Sequence, residues 1–299
     1  MKVLVSTSSF GKADPAPLDE LKSKCEVKLN PYGRKLTTEE FADLTEDVCG
    51  VIAGVEQITR EVLSKRPNIK VISRCGVGMD SVDREACADL GIKLTNTPEA
   101  PVASVAELTV TVMLDLIKNV SNMNASVKSG KWNKMTGLML SGKKVGIIGF
   151  GRIGRRVSEL LEAFGAEVGY TDIEKKDTAC RFMEKAELLK WADIVTIHSS
   201  FCEEGEYIIG AKELELMKGG FLVNTSRGRF VDEDALYAAL SSGSLAGAAL
   251  DVFEKEPYEG KLSELENVIL TPHVASSAKE GRAVMEMEAV RNLFEGLGI

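Results

Sequence analysis

Short aliphatic runs rich in β-branched residues recur along the chain: Val3–Val5, Val27–Leu29, Val51–Ala53, Ile69–Ile72 and Ile92–Leu94. Each is too short for a helix, and amphipathic stretches lie between them. One of these opens on Thr37 and Glu40, the spacing of a capping box, in which two side chains satisfy each other's free backbone N–H groups. The alternation predicts βαβα units and so a parallel sheet with helices on both faces. A second series begins near Pro101. A long helix is predicted to about Gly130, then strands near 144–148, 166–171, 193–197, 220–224, 246–250 and 267–271. Helices fall between most of them, among them 152–164 and 232–242; Asp232, Glu233 and Asp234 favour a start there by capping N–H groups and opposing the helix dipole. Ser276 to Ile299 reads as one helix. The pattern predicts two doubly wound domains, 1–98 plus 276–299 and 99–275.

Composition narrows the class without changing this picture. A chain of 299 residues, 44% hydrophobic and 27% charged, has room for two cores and no tract that must stay disordered. The net charge of −8 repels nucleic acid and acidic membranes, so any anionic ligand needs a local cluster of cations. Six cysteines, at 25, 49, 75, 87, 180 and 202, include no Cys-x-x-Cys pair. They indicate neither a disulfide framework nor a metal site, and reduced, mostly buried thiols are expected. The apolar run at Met1–Ser8 is too short for a signal peptide, and Val105–Ile117 carries Glu107 and Asp115 and is too short to span a bilayer. A soluble, cytoplasmic protein is expected.

The segment Val145–Arg156 breaks from an apolar run into Gly149-x-Gly151-x-x-Gly154. In a dinucleotide site the first glycine permits the tight turn, the second lets backbone approach a pyrophosphate, and the third lets helix pack on strand. The helix opening at Arg152 and Ile153 then presents N–H groups and a positive dipole end to the phosphates. The next strand ends at Asp172, a carboxylate that can accept from both ribose hydroxyls and would repel a 2′-phosphate. No arginine follows it closely, so NAD is favoured over NADP. A methyltransferase binding S-adenosylmethionine would also show a glycine-rich turn and an acid.

Two histidines, His198 and His273, each follow an apolar run, and ligands of open α/β sheets lie at the carboxyl ends of strands. Both positions are plausible. His273 has the fuller company: Asn224-Thr-Ser-Arg227 and Asp251-Val-Phe-Glu-Lys-Glu256 also stand at predicted strand ends. A guanidinium that binds a carboxylate and polarises a keto oxygen, with an imidazole that carries a proton to the developing alkoxide, suits hydride transfer to a 2-oxo acid.

Over roughly residues 69–299 the chain resembles the D-isomer-specific 2-hydroxyacid dehydrogenase family, and within it the phosphoglycerate dehydrogenases. The resemblance rests on Arg74-Cys-Gly-Val-Gly78-Met-Asp, Asn96-Thr-Pro98, Ser104-Val-Ala-Glu107, Gly130-Lys-Trp132-Asn-Lys134 and the glycine motif. It continues through Ser226-Arg227-Gly, Leu250-Asp251-Val-Phe, Glu256-Pro and Thr271-Pro-His273. It implies a flavodoxin-like substrate domain, a Rossmann NAD-binding domain and a homodimer through the latter. It makes Arg227 the substrate-orienting arginine, Glu256 the partner carboxylate and His273 the general acid/base; Glu254 is a rival that the Glu-Pro spacing demotes. Gly76, Val77 and Gly78 would offer N–H groups to the substrate carboxylate, and Asp251 would hold the nicotinamide carboxamide. Thr97, Arg152, Ile153, Asp172, Ser199, Thr225 and Ser226 would line the rest of the NAD site.

The implied reaction interconverts a small anionic D-2-hydroxy acid and its 2-oxo acid. Arg74 and Lys134, the latter in a segment that reaches a neighbouring subunit's site in phosphoglycerate dehydrogenases, would suit 3-phosphoglycerate and 3-phosphohydroxypyruvate. Hydroxypyruvate, glyoxylate or sulfolactate-type reduction is the alternative, and an NAD-sensing protein like the C-terminal-binding corepressors is an alternative of another class. Two departures bear on the nicotinamide pocket: Ser199-Ser-Phe-Cys after His198, where the family usually has a proline, and Val274-Ala-Ser-Ser after His273, where glycines are usual. Closure on hinges near 98–101 and 273–276 is expected, and feedback through a C-terminal amino-acid-sensing domain is not.

Overall fold

A computed structural model describes residues 1–200 and 206–299. It falls into two compact units, Met1–Pro101 with Ser276–Ile299, and Val102–Ala275.

In the first unit, strands β1 (Lys2–Val5), β2 (Glu26–Leu29), β3 (Gly50–Ala53), β4 (Val71–Arg74) and β5 (Lys93–Asn96) form a parallel sheet in the order β2-β1-β3-β4-β5. The first strand is interior, with a neighbour on either side. Helices α1 (Ala16–Lys24), α2 (Thr38–Leu44), α3 (Arg60–Ser64) and α4 (Arg84–Asp89) connect the strands. The capping box at Thr37 and Glu40 is formed in full. Successive strand residues point to opposite faces; the inner strands β1, β3 and β4 are covered on both faces and largely apolar, whereas the edge strands β2 and β5 also carry Glu26, Lys28 and Lys93. Leu4, Val51 and Ile72 meet Phe41, Leu63 and Cys87 on one side. Val3, Val5, Ile52 and Val71 meet Leu21 and the terminal helix, Lys279–Leu297, through Met285, Ala289, Leu293 and Phe294 on the other.

The second unit opens with α5 (Val102–Lys118) and α6 (Val120–Lys128). These replace the single helix expected from Pro101 to Gly130. Asn119 takes a left-handed conformation, φ 58° and ψ 34°, which asparagine tolerates better than most residues and which a continuing helix forbids. The Asp115 carboxylate then accepts from the Ser121 backbone N–H at 2.7 Å. Strands β6 (Lys144–Ile148), β7 (Glu167–Thr171), β8 (Arg181–Phe182), β9 (Ile194–Ile197), β10 (Phe221–Asn224), β11 (Gly247–Leu250) and β12 (Val268–Leu270) run parallel in the order β12-β11-β10-β9-β6-β7-β8. Helices α7 (Arg152–Ala163), α8 (Lys185–Trp191), α9 (Ala211–Leu216) and α10 (Glu233–Ser241) cover the sheet with α5. Val110, Met113, Val157 and Leu161 pack on one face with Ile147 and Tyr170; Leu188, Leu214, Leu236 and Leu240 pack on the other with Val195, Ile197 and Leu222. The Asp232 side chain caps α10, accepting from the Ala235 N–H at 3.0 Å. Among the described residues no helix is long and apolar enough to cross a membrane.

Cys25, Cys75 and Cys87 are buried and Cys49 and Cys180 partly so, all as free thiols. Phe201 and Cys202 lie outside the described residues.

Candidate active site

The glycine turn joins β6 to α7, and three separate constraints act on it. Gly149 has φ 91°, and a Cβ there would stand 2.6 Å from the His198 carbonyl carbon and the Ser199 nitrogen at the end of β9. A Cβ on Gly154 would stand 2.3 Å from the Gly149 oxygen, so only glycine lets the helix sit so close to the turn. A Cβ on Gly151, by contrast, would meet nothing within 4 Å. Open space over the start of a twelve-residue helix is what a pyrophosphate needs, so these residues fit a dinucleotide. Arg152 is exposed and Ile153 half-buried beside it.

Asp172 follows β7, and one carboxylate oxygen accepts from the Phe150 N–H at 2.6 Å. It therefore fastens the glycine turn as well as standing at the ribose position. Its other oxygen lies 3.7 Å from Lys176 Nζ, a neighbouring cation that the absence of a nearby arginine does not reveal. Thr225 is buried, its hydroxyl 2.8 Å from that of Thr109 on α5, and the Ser226 hydroxyl donates to the Ile197 carbonyl.

The carboxyl ends of β10, β11 and β12 are neighbours, and they carry Arg227, Glu256 and His273. His273 Nδ1 lies 2.8 Å from Glu256 Oε2, so the carboxylate on this histidine is Glu256 and not Glu254. The second Glu256 oxygen accepts from the Phe253 N–H at 3.1 Å. His273 has φ 53°, uncommon for a side chain with a Cβ, and it persists because the loop is fastened on several sides. Asp251, 1% exposed, accepts from the Thr271 hydroxyl at 2.5 Å and from the N–H groups of Val274 and Ala275 at 2.9 Å. The Ser104 hydroxyl on α5 donates to the Ala275 carbonyl. Asp251, expected at the nicotinamide, is thus engaged in holding the histidine loop.

Two residues named in the sequence only as neighbours of Arg227, with no role of their own, position it. Asn224 Nδ2 donates to the Arg227 carbonyl at 2.9 Å. A Cβ on Gly228 would fall 1.8 Å from the Phe253 carbonyl carbon, so glycine alone brings this turn against the segment leading to Glu256. Neither has a signal in one sequence beyond proximity to the arginine. His198 has a different environment: it is half-buried with Nδ1 shielded from solvent, its Nε2 lies 2.9 Å from the Thr196 hydroxyl, and desolvation pushes its pKa down to about 3.

The first unit holds the remaining candidates together at the ends of β4 and β5. Arg74 turns back to donate to the Cys75 carbonyl, close to Gly76, whose φ of 139° excludes a side chain. Thr97, expected at the cofactor, is buried here and its hydroxyl accepts the Gly76 N–H at 2.7 Å. Lys134 is on an exposed segment of the second unit.

Strand ends, a glycine turn and a carboxylate–imidazole pair are the features of a dinucleotide-binding α/β unit with a candidate acid/base pair. Residues 110–275 match the family described as D-isomer specific 2-hydroxyacid dehydrogenase, NAD binding domain. The chain is 39% identical over 297 residues to a D-3-phosphoglycerate dehydrogenase of Methanocaldococcus jannaschii, covering 95% of this chain and 57% of that protein. It is 36% identical over 258 residues to a hydroxypyruvate reductase of Thermotoga maritima, covering 83% and 84%. The crystal structure of the TT0316 protein from Thermus thermophilus superposes with a TM-score of 0.93 at 36% identity, covering 100% of this chain and 97% of that one. The chain belongs to the D-isomer specific 2-hydroxyacid dehydrogenase family. Its second unit carries that family's NAD-binding domain.

Proposed function

We propose that this chain is an NAD-dependent dehydrogenase interconverting a D-2-hydroxy acid and its 2-oxo acid, with 3-phosphoglycerate and 3-phosphohydroxypyruvate as the pair. The observation that carries the reaction is the 2.8 Å contact between His273 and Glu256, one strand from Arg227. Because Nδ1 faces Glu256, Nε2 is the nitrogen left for the substrate. In reduction His273 gives a proton to the developing alkoxide, and in oxidation it takes the hydroxyl proton. Glu256 holds the ring's orientation and faces the charge that forms on it. Arg227 binds the substrate carboxylate in a bidentate fork and polarises the keto oxygen. The redox half, exchange of a hydride at the 2-carbon, is the chemistry NAD supplies when bound.

The phosphorylated pair is supported by Arg74 beside the Gly76–Gly78 loop and by similarity to a phosphoglycerate dehydrogenase. Hydroxypyruvate or glyoxylate reduction is the second reading, favoured by the larger share, 84%, of the hydroxypyruvate reductase that the chain covers. A homodimer through the second unit is also proposed. Helix α6 buries no residue, and Val120, Val127, Trp132 and Met139 are 54%, 51%, 77% and 67% exposed along one stretch. A cavity of about 410 Å³ next to it, lined by Asn119, Ser121, Leu138 and Glu266, offers room for a partner's side chains.

NADH consumption across a panel of 2-oxo acids tests the reaction. Turnover of at least one member is expected, with His273→Ala lowering kcat/KM by about 100-fold or more. NADH binding without turnover on any member would favour the NAD-sensing alternative.

A further inference from the structure

The loop Gly76–Gly78 is held by a set of hydrogen bonds that runs back to the terminal helix. Asn96, the last residue of β5, donates from Nδ2 to the Val77 carbonyl at 2.8 Å. Its own carbonyl accepts from Asn292 Nδ2 of the terminal helix at 3.0 Å. On the next residue, the Thr97 N–H donates to the Gly76 carbonyl at 3.1 Å while its hydroxyl accepts the Gly76 N–H at 2.7 Å. The carbonyls of Gly76 and Val77 are thereby turned toward β5. The N–H groups of Val77 and Gly78 take no part in these bonds, and the Val77 side chain is exposed. Successive N–H groups turned the same way form a concave site for a carboxylate or phosphate oxygen.

We infer that Asn96 and Asn292 form a latch that sets the direction of the Val77 and Gly78 N–H groups and so tunes the substrate's KM. The latch rests on the reading of this loop as a binder of the substrate carboxylate. An amide side chain suits the work at Asn96. Its nitrogen must donate to a carbonyl that is otherwise free to rotate the 77–78 peptide, and it carries no charge that would oppose an anionic ligand. Asn292 acts one step back, by fixing the peptide from which the Asn96 side chain reaches. Both are positioning residues. A peptide rotated at the binding loop misplaces its donors by about an ångström, enough to cost an order of magnitude or more.

Asn96→Leu, Asn292→Leu, the double variant and Gly76→Ala, each in the full chain, test this with three readouts. These are KM and kcat for the best 2-oxo acid, the Kd of NADH, and amide exchange at residues 76–80. Asn96→Leu is expected to raise KM about ten-fold and to speed exchange at Val77 and Gly78 by a similar factor, with the Kd of NADH within about two-fold. Asn292→Leu should raise KM about three-fold, and the double variant should be no worse than Asn96→Leu, because one interaction acts through the other. Multiplicative effects, or wild-type exchange in Asn96→Leu, would overturn the latch. If Gly76→Ala raises KM and Asn96→Leu does not, the loop binds substrate and the latch alone is wrong. A wild-type KM in Gly76→Ala would remove the loop's role and the latch with it.

Discussion

His198 and His273 show how burial decides what an imidazole can do. His273 is about half exposed, at a strained backbone angle, with a carboxylate on one nitrogen and the other available. His198 is half-buried beside a threonine hydroxyl, and desolvation lowers its pKa to about 3. It stays neutral through the working range and exchanges no proton with a substrate. It has a consequence for stability instead. The unfolded chain protonates His198 below about pH 6.5 while the folded chain does not, so this residue makes folding less favourable as pH falls from there toward 3. The slope is about 1.4 kcal/mol per pH unit for one proton. Replacing it by glutamine, which cannot titrate, should remove that increment from the pH dependence of the unfolding free energy between pH 6 and 4. An unchanged slope would show that the buried ring is protonated in the native state. In the sequence an apolar run marks the strand before each histidine and says nothing of what covers its end, so only the neighbouring Arg227 and Glu256 segments set His273 apart. Arg227, Glu256 and Gly149 were legible as types at strand ends. Gly228, Asn224 and Ser104 were not, since each matters only through a contact with a segment distant in the chain.

At the scale of elements, the strand positions were visible to within about two residues because the inner strands are buried on both faces and read as short apolar runs. Ile69 is an example of the remaining error: it is buried, but the β4 ladder begins at Val71. Apolar runs report burial, whereas strand limits follow hydrogen bonding. Strand β8 has only two residues, Arg181 and Phe182, too few to show a period, and the break at Asn119 is a backbone event that helical periodicity passes over. The terminal helix carries the larger consequence. Its Leu293 is fully buried in the first unit, close enough to Gly50 that a Cβ there would stand 3.0 Å from the leucine methyl. Leu293→Ala should therefore cost about 2–5 kcal/mol, as large-to-small substitutions in a packed core do. Urea unfolding followed by circular dichroism checks it. A loss below about 1 kcal/mol would mean that the helix covers the sheet without contributing to its core.

For the molecule as a whole, the governing fact is a net charge of −8 set against the anionic substrate proposed above. Long-range attraction does not help such a ligand, and its recognition falls to cations placed within contact distance. A second anionic group on the substrate sharpens the requirement, which makes charge the property that separates the two substrate readings. Arg74 is half-buried next to its loop and Lys134 is exposed on the segment after α6, so the two would serve different parts of the problem. A charge-assisted hydrogen bond to a phosphate contributes about 1.5–3 kcal/mol, which corresponds to roughly ten- to a hundred-fold in affinity. Arg74→Ala and Lys134→Ala should accordingly raise KM for 3-phosphohydroxypyruvate by that order while changing KM for glyoxylate by less than about three-fold. Because glyoxylate has the carboxylate and lacks the phosphate, it controls for damage to the Gly76–Gly78 loop and to Arg227. Equal changes for both substrates would assign the cations to the carboxylate and leave the phosphorylated pair without its support. An effect of Arg74→Ala alone would place the phosphate contact in the first unit and remove any need for the exposed segment. Were Lys134→Ala to act on the phosphorylated substrate as strongly, subunit assembly would have to be part of substrate recognition, and dilution below the dimer's dissociation constant should then raise KM for that substrate and not for glyoxylate.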